Sequence, residues 1–161
     1  MKTYIGIDNG VTGSIFIIKE SGCEYFNTPT IVEQSYTKGK QSISRVNFPF
    51  LCSIFEGISG KSIAVIERPM VNPGRFKATL SAVRCLEATL IALERFGIGV
   101  QYIYSKEWQK EFLPKESKKE ELKKVSCDIA CRLYPQFKED IIKHKDGDAV
   151  LIAEYARRKN L

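Results

Sequence analysis

Four carboxylates stand where their chemistry conflicts with their surroundings. Asp8 closes the apolar run Tyr4-Ile5-Gly6-Ile7, and Glu67 closes Ser62-Ile63-Ala64-Val65-Ile66. Asp146 and Asp148 flank Gly147 at the head of the stretch Ala149-Val150-Leu151-Ile152-Ala153. An acid at the end of a core strand is disfavoured by strand propensity and costly to bury unpaired, so it needs a partner. For Asp8 that partner is either a cation or the backbone of its own turn. Asp146 and Asp148 are equally suited to capping a helix N-terminus, although both cannot cap the same one. Where such acids converge, hard oxygen ligands without cysteine or histidine select magnesium or manganese over zinc. Two such ions roughly 3.5–4 Å apart can activate a water and stabilise the leaving oxygen in phosphodiester hydrolysis.

The cations sharpen that chemistry. Residues 34–45 contain Lys38, Lys40 and Arg45 and no acid, and residues 68–84 contain Arg68, Arg75, Lys77 and Arg84 and no acid. The second group directly follows Glu67. Cations beside an acidic pocket suit a polyanion whose backbone has to be laid over metal ions. Lys118, Lys119, Lys123 and Lys124 differ, because Glu120 and Glu121 alternate with them as on a solvated face. The formal charge of +6 and a pI near 9.0 point the same way as the localised clusters.

The elements that must position these groups follow from periodicity. Residues 3–9 and 13–19 read as two strands joined through Asn9-Gly10-Val11-Thr12-Gly13, with a short third strand over 23–27. Residues 33–45, polar and broken by Gly39, are expected to form a flexible basic loop. A helix is predicted over 47–58 and a strand buried on both faces over 62–66. A loop with two prolines leads to a long helix, about 76–95, whose Leu80, Val83, Leu86, Leu90 and Leu93 form one stripe closed by Gly97. A fifth strand spans 98–104, and 105–114 is a connection carrying the single tryptophan, Trp108. The capping box Ser117-Lys118-Lys119-Glu120 opens a helix ending near Leu133, before Pro135, and a last helix starts at Asp146-Gly147-Asp148. This order implies an α/β domain with a mixed five-stranded sheet, three strands antiparallel and then two parallel, flanked by helices. Strand one can then lie beside strand four, which brings Asp8 and Glu67 to one edge.

All 161 residues are expected to form one domain of ordinary globular composition, 43% hydrophobic and 27% charged. The five cysteines are odd in number and dispersed, and one histidine cannot complete a zinc site with them, so they read as reduced thiols. No leader-like or membrane-spanning apolar run is present in the sequence, so a soluble, unsecreted, cytoplasmic protein is expected.

Three motifs together, Ile5-Gly6-Ile7-Asp8-Asn9-Gly10, Val65-Ile66-Glu67-Arg68-Pro69 and Asp146-Gly147-Asp148-Ala149-Val150-Leu151-Ile152-Ala153, resemble those of the RuvC-type Holliday junction resolvases, most of all the compact forms of phages and related elements. The resemblance implies a ribonuclease H-like fold and a homodimer in a bacterial or phage-infected cell. It also implies magnesium- or manganese-dependent nicking of opposed strands in four-way and related branched DNA, in recombination and repair. By motif, Asp8, Glu67 and Asp148 resemble three metal ligands. The common spacing places the fourth, an acid or histidine, at position 145, which here is lysine. Asp146 is the expected substitute, because Gly147 allows its backbone to reorient; His144 is the alternative, and Lys145 could act electrostatically instead. The loop from Met70 to Phe76 resembles the segment that enters the junction centre, with Phe76 or Met70 stacking on a base and Arg75 on phosphate, although Phe76 could equally be the first core residue of its helix. Lys118, Lys119, Lys123 and Lys124 resemble the basic patch beside the family's active site, with Lys118 or Lys119 expected on phosphate. Two rival readings stand beside this one: a non-catalytic branched-DNA-binding protein of the same fold, motivated by Lys145, and an actin-like ATPase fragment, motivated by Asp8-Asn9-Gly10-Val11-Thr12-Gly13-Ser14.

Overall fold

The computed structural model describes residues 2–36, 38–39, 41–58, 60–115 and 121–161. Its centre is a five-stranded sheet built from β1 (Thr3–Ile7), β2 (Ser14–Lys19), β3 (Gly22–Asn27), β6 (Ser62–Glu67) and β7 (Gly99–Ile103), in the order β3-β2-β1-β6-β7. The first three strands are mutually antiparallel, and β6 and β7 run parallel to β1. This is the mixed sheet expected from the order of elements. All of β1 and the centre of β6, Ala64 to Ile66, are buried, as expected of strands covered on both faces.

Alternation along the strands divides the interior into two cores. Tyr4, Phe16, Ile18 and Val65 face one side, where they meet α6 (Asp148–Lys159), α4 (Leu122–Leu133), α5 (Lys138–His144) and Trp108 of α3 (Ser105–Phe112). Ile5, Ile7, Ile15, Ile17, Ala64 and Ile66 face the other, under α1 (Phe48–Phe55) and α2 (Phe76–Arg95). The period of two assigns Asp8 and Glu67 to the α6 side, because they continue the faces of Gly6 and Val65.

Three segments depart from the sequence expectation. The basic loop contains a hairpin, β4 (Thr30–Gln34) and β5 (Ser42–Val46), paired from Thr30↔Val46 to Gln34↔Ser42. It was unreadable because its β-branched residues are largely exposed, so no apolar alternation marks a buried face. Val46 alone is buried at its base, and the Arg84 guanidinium of α2 lies 5.3 Å from the Tyr36 ring centre near its tip. The connection after β7 is helical, with Trp108 and Phe112 packing inward one turn apart and Glu107 Oε1 accepting the Tyr104 N–H at 2.8 Å. After the predicted stop at Pro135 the chain re-enters helix as α5, of which only Ile141 is buried. The capping box at 117–120 lies outside the described residues. Cys85 is buried and the other four cysteines are half-buried free thiols. Among the described residues no helix is long and apolar enough to cross a membrane.

Helix α6 lies directly on β1. A Cβ at Gly6 would lie 2.1 Å from the Ala149 carbonyl oxygen and 2.4 Å from the Ala153 nitrogen. Glycine beneath two alanines lets helix backbone rest directly on strand backbone. Gly6→Ala should therefore force the two apart and destabilise the protein by about 1–3 kcal/mol, read as a lower urea midpoint at unchanged m-value.

Candidate active site

The site lies where β1 and β6 end. Their register runs from Thr3↔Ser62 to Ile7↔Ile66, and one further step sets Asp8 opposite Glu67. The turn after Asp8 folds back tightly: Asp8 N–H donates to the Ser14 carbonyl at 3.1 Å, and Gly13 N–H to the Gly10 carbonyl at 3.0 Å. A side chain at Gly13 is impossible there, since its Cβ would lie 2.0 Å from the Asp8 carbonyl oxygen. With α6 seated on Gly6, the start of that helix hangs over the strand end. Asp8, Asp146 and Asp148 each then offer a carboxylate oxygen, all within 4.8 Å of one another.

Hydroxyl groups orient most of these acids. Asp146, only 2% exposed, accepts from Ser14 Oγ at 2.6 Å and from the Asp148 N–H at 3.0 Å, while its own carbonyl accepts from Tyr25 Oη at 2.9 Å. Asp146 thus holds the first N–H of α6 while belonging to the cluster, although the N-cap position itself is Gly147. Asp148 accepts from the Ser126 hydroxyl of α4. Glu67 accepts from Ser105 Oγ and from Trp108 Nε1, each at 2.8 Å. Among the described residues no donor reaches the Asp8 carboxylate.

The electrostatics follow from this crowding. Burial, followed by the charges of Asp146, Asp148 and Glu67, pushes the Asp8 carboxyl well above the usual carboxylate range. Asp148 is pushed up to about 6, by burial first and then by Asp146, against the Ser126 hydrogen bond and Lys123. Lys123 of α4 faces the same group. Burial works against its charge, but Asp146, Asp8 and Asp148 together outweigh burial and hold it protonated beyond the ordinary lysine range. Three mutually repelling carboxylates, with the proton affinity of Asp8 and Asp148 raised, are held as a cation site would hold them.

The alternatives for the fourth acid separate clearly. His144 directs Nε2 at the Gly13 carbonyl, 2.9 Å away, and because a carbonyl can only accept, that nitrogen carries the proton. Among the described residues it does not join the three aspartates. Lys145 is exposed and adopts the left-handed conformation, φ 57°, that ends α5 and turns the chain into α6. Gly147 has φ −110°, so the expectation that it serves conformational freedom is corrected. It is required for space: a Cβ there would lie 2.7 Å from the Ser126 carbonyl oxygen.

The cationic candidates are distributed unequally. Arg68, Arg75, Met70 and Asn72 line a cleft of about 220 Å³ whose floor includes Asp8, Asn9 and Glu67. Arg68 is stacked between rings, 4.8 Å from the centre of Tyr102 and 5.1 Å from that of Tyr104. Phe76 is 69% exposed and Met70 76% exposed, so Phe76 is not a core residue of its helix. Lys77 and Lys38 are exposed, and Arg45 pairs with Glu33 at 3.1 Å, which reduces the free positive charge of the hairpin. Lys40, Lys118 and Lys119 lie outside the described residues.

The donor set fits a hard divalent cation. Ligand oxygens about 2.1 Å from one magnesium lie roughly 3–4 Å apart, a modest contraction from the 4.8 Å limit of the three aspartates. Asn9 adds a second indication: its Nδ2 donates to the Ala82 carbonyl of α2 at 3.0 Å, and its buried Oδ1 has no hydrogen-bond partner among the described residues. Sequence reasoning missed Ser14, Ser105, Trp108 and Ser126, because a hydroxyl or an indole acquires meaning only from the acid the fold sets against it. The lone Trp108 in a segment without apolar period was the one available signal.

No protein-family model matches the sequence, and no curated protein matches it. Among solved structures, the chain is similar to Thermus thermophilus RuvC in complex with Holliday junction substrate, at 12% identity and a TM-score of 0.58, over 99% of this chain and 96% of that one. It is also similar to a Thermus thermophilus RuvC structure at 15% identity and a TM-score of 0.54, over 98% and 96% of the two chains. The likeness shows that the chain shares the fold of RuvC over nearly its whole length.

The electrostatic arrangement has a measurable sign. Between the unfolded carboxyl value of 3.8 and about 6, the folded protein binds more protons at Asp148 than the unfolded chain does. Its contribution to stability is therefore largest at acid pH and is lost as pH rises through about 6. In metal-free protein, urea unfolding from pH 4.5 to 7 should show wild type losing about 2 kcal/mol relative to Asp148→Asn, and magnesium should restore wild type at pH 7.

Proposed function

We propose that this protein is a divalent-metal-dependent endonuclease that cuts branched DNA, four-way junctions above all, and works as a homodimer. The observation that carries this reading is the convergence of Asp8, Asp146 and Asp148 at the strand ends, with Glu67 at their side, in a chain whose fold matches RuvC over nearly its whole length. One of the matched structures is a complex with Holliday junction substrate. In this reading Asp8, Glu67, Asp146 and Asp148 hold magnesium or manganese. Such ions, when bound, supply an activated water and neutralise charge at the leaving oxygen.

The chain's own residues do the rest. Ser14 and Ser126 fix the planes of Asp146 and Asp148, so the ligand oxygens are preorganised rather than recruited. Lys123 balances the carboxylates and stands where a phosphate would approach them. Arg75 and Arg68, on the wall of the cleft above Asp8, position the DNA backbone, while exposed Met70 and Phe76 offer apolar surface to an unstacked base. Lys38, Arg45 and Lys77 are assigned further phosphate contacts, and Lys40, Lys118 and Lys119 are assigned the same role from their place in the sequence. Stacking of Arg68 on Tyr102 and Tyr104 holds its guanidinium ready at little further entropic cost.

Incubation with a synthetic four-way junction and magnesium should give symmetric nicks, and linear duplex of the same sequence should stay intact. Asp8→Asn should reduce cutting by roughly 1,000-fold, the equivalent of about 4 kcal/mol of transition-state stabilisation, with junction affinity retained. Intact binding without cleavage under any divalent metal would instead favour a non-catalytic junction-binding protein. Arg75→Ala should weaken junction binding and lower the salt slope by about 1.

A further inference from the structure

Glu67 is held differently from the three aspartates. Both of its oxygens are committed, Oε1 to Ser105 Oγ and Oε2 to Trp108 Nε1, each at 2.8 Å. The two donors lie three residues apart on the first turn of α3, so they project from one face of that helix toward a single carboxylate. Each carboxylate oxygen keeps a second lone-pair direction, and rotation of the carboxylate breaks both bonds at once. The pair of donors therefore decides which lone pairs of Glu67 point toward Asp8. Trp108 is 1% exposed, and its indole N–H is the only polar donor it has. A packing role alone would be met by phenylalanine, with no N–H to satisfy. The Arg68 N–H bond to the Ile103 carbonyl, at 2.9 Å, and the Glu107–Tyr104 cap fix α3 relative to the end of β6.

We propose that Ser105 and Trp108 are positioning residues that set the carboxylate plane of Glu67 toward the Asp8–Asp146–Asp148 group, and that Trp108, through its hydrogen bond, reports cation entry in its fluorescence. This rests on the metal-dependent reading above. The clamp works on Glu67 from behind and touches neither DNA nor cation, which separates its effects from those of the ligands. Partners that orient a ligating group typically carry a 10–100-fold share of metal affinity or activity. Trp108 is the single tryptophan of the chain, so with excitation selective for indole its emission reports this one site.

The test uses magnesium chloride and the full chain. Wild-type emission should change saturably with magnesium, at the same midpoint as calorimetry. Ser105→Ala, which removes one half-buried hydroxyl and leaves no large cavity, should weaken magnesium binding about tenfold and lower kcat, with junction affinity in EDTA unchanged; Ser105→Thr should restore both. Trp108→Phe, checked for folding by circular dichroism, should reproduce the loss of magnesium affinity. Wild-type magnesium affinity in both Ser105→Ala and Trp108→Phe overturns the clamp and leaves the nuclease reading standing, as does binding heat without any change in emission. Absence of magnesium binding to the wild-type protein overturns both.

Discussion

Everything at the candidate site depends on how closely α6 lies on β1. Helix and strand backbones can touch only where side chains are nearly absent, and Gly6 beneath Ala149 and Ala153 provides that contact. The gain is positional. A helix seated so closely has little freedom to slide, so the first residue of α6 is fixed against the last residue of β1. Gly147 repeats the device one layer out, where the chain passes against the Ser126 carbonyl and brings α4 close enough for its serine to reach Asp148. Two glycines and two alanines thus control the separation of three carboxylates through backbone contact alone.

That geometry is electrostatically unfavourable in isolation, and the protein tolerates it through specific compensation. Ser14 and Ser126 solvate two aspartates with fixed dipoles, Lys123 leans in as a counter-charge, and Asp8 takes up the remaining conflict by favouring its neutral form. The contrast with Glu154 on the same helix is instructive. It is as buried as Asp146, but Arg157, Arg158 and Tyr134 satisfy both of its oxygens, and its carboxyl is held below the ordinary range despite burial. One acid of α6 is fully neutralised at one end while the other end keeps its charge unsatisfied. Stability and function are segregated along a single helix.

The legible part of this structure was the part written in periodicity. Continuous apolar runs identified β1, β2 and β6, an i, i+3, i+4 stripe identified α2, and acids terminating those runs marked the strand ends as the place to look. The β4–β5 hairpin was illegible because a ribbon exposed on its faces needs no alternation, and α3 because two inward residues cannot define a period. The role of Gly147 was misread for a similar reason. A glycine announces freedom in sequence, but whether it serves a dihedral angle or an interatomic gap is decided by a neighbour more than twenty positions away, Ser126. The left-handed residue that actually turns the chain is Lys145, the position at which the acid spacing of the resembled family is broken.

The pairing of β1 with α6 also orders events in time. Asp8 directly follows the first strand, and its partners Asp146 and Asp148 arrive some 140 residues later in the chain. Sheet strands β1, β2 and β6 can associate during synthesis, but the three carboxylates cannot meet until α6 has emerged and docked on Gly6. A partly made chain therefore holds one lone aspartate at a strand end and no cation site. Long sequence separation, a kinetic burden for folding, here delays assembly of the site until the core that carries it has closed.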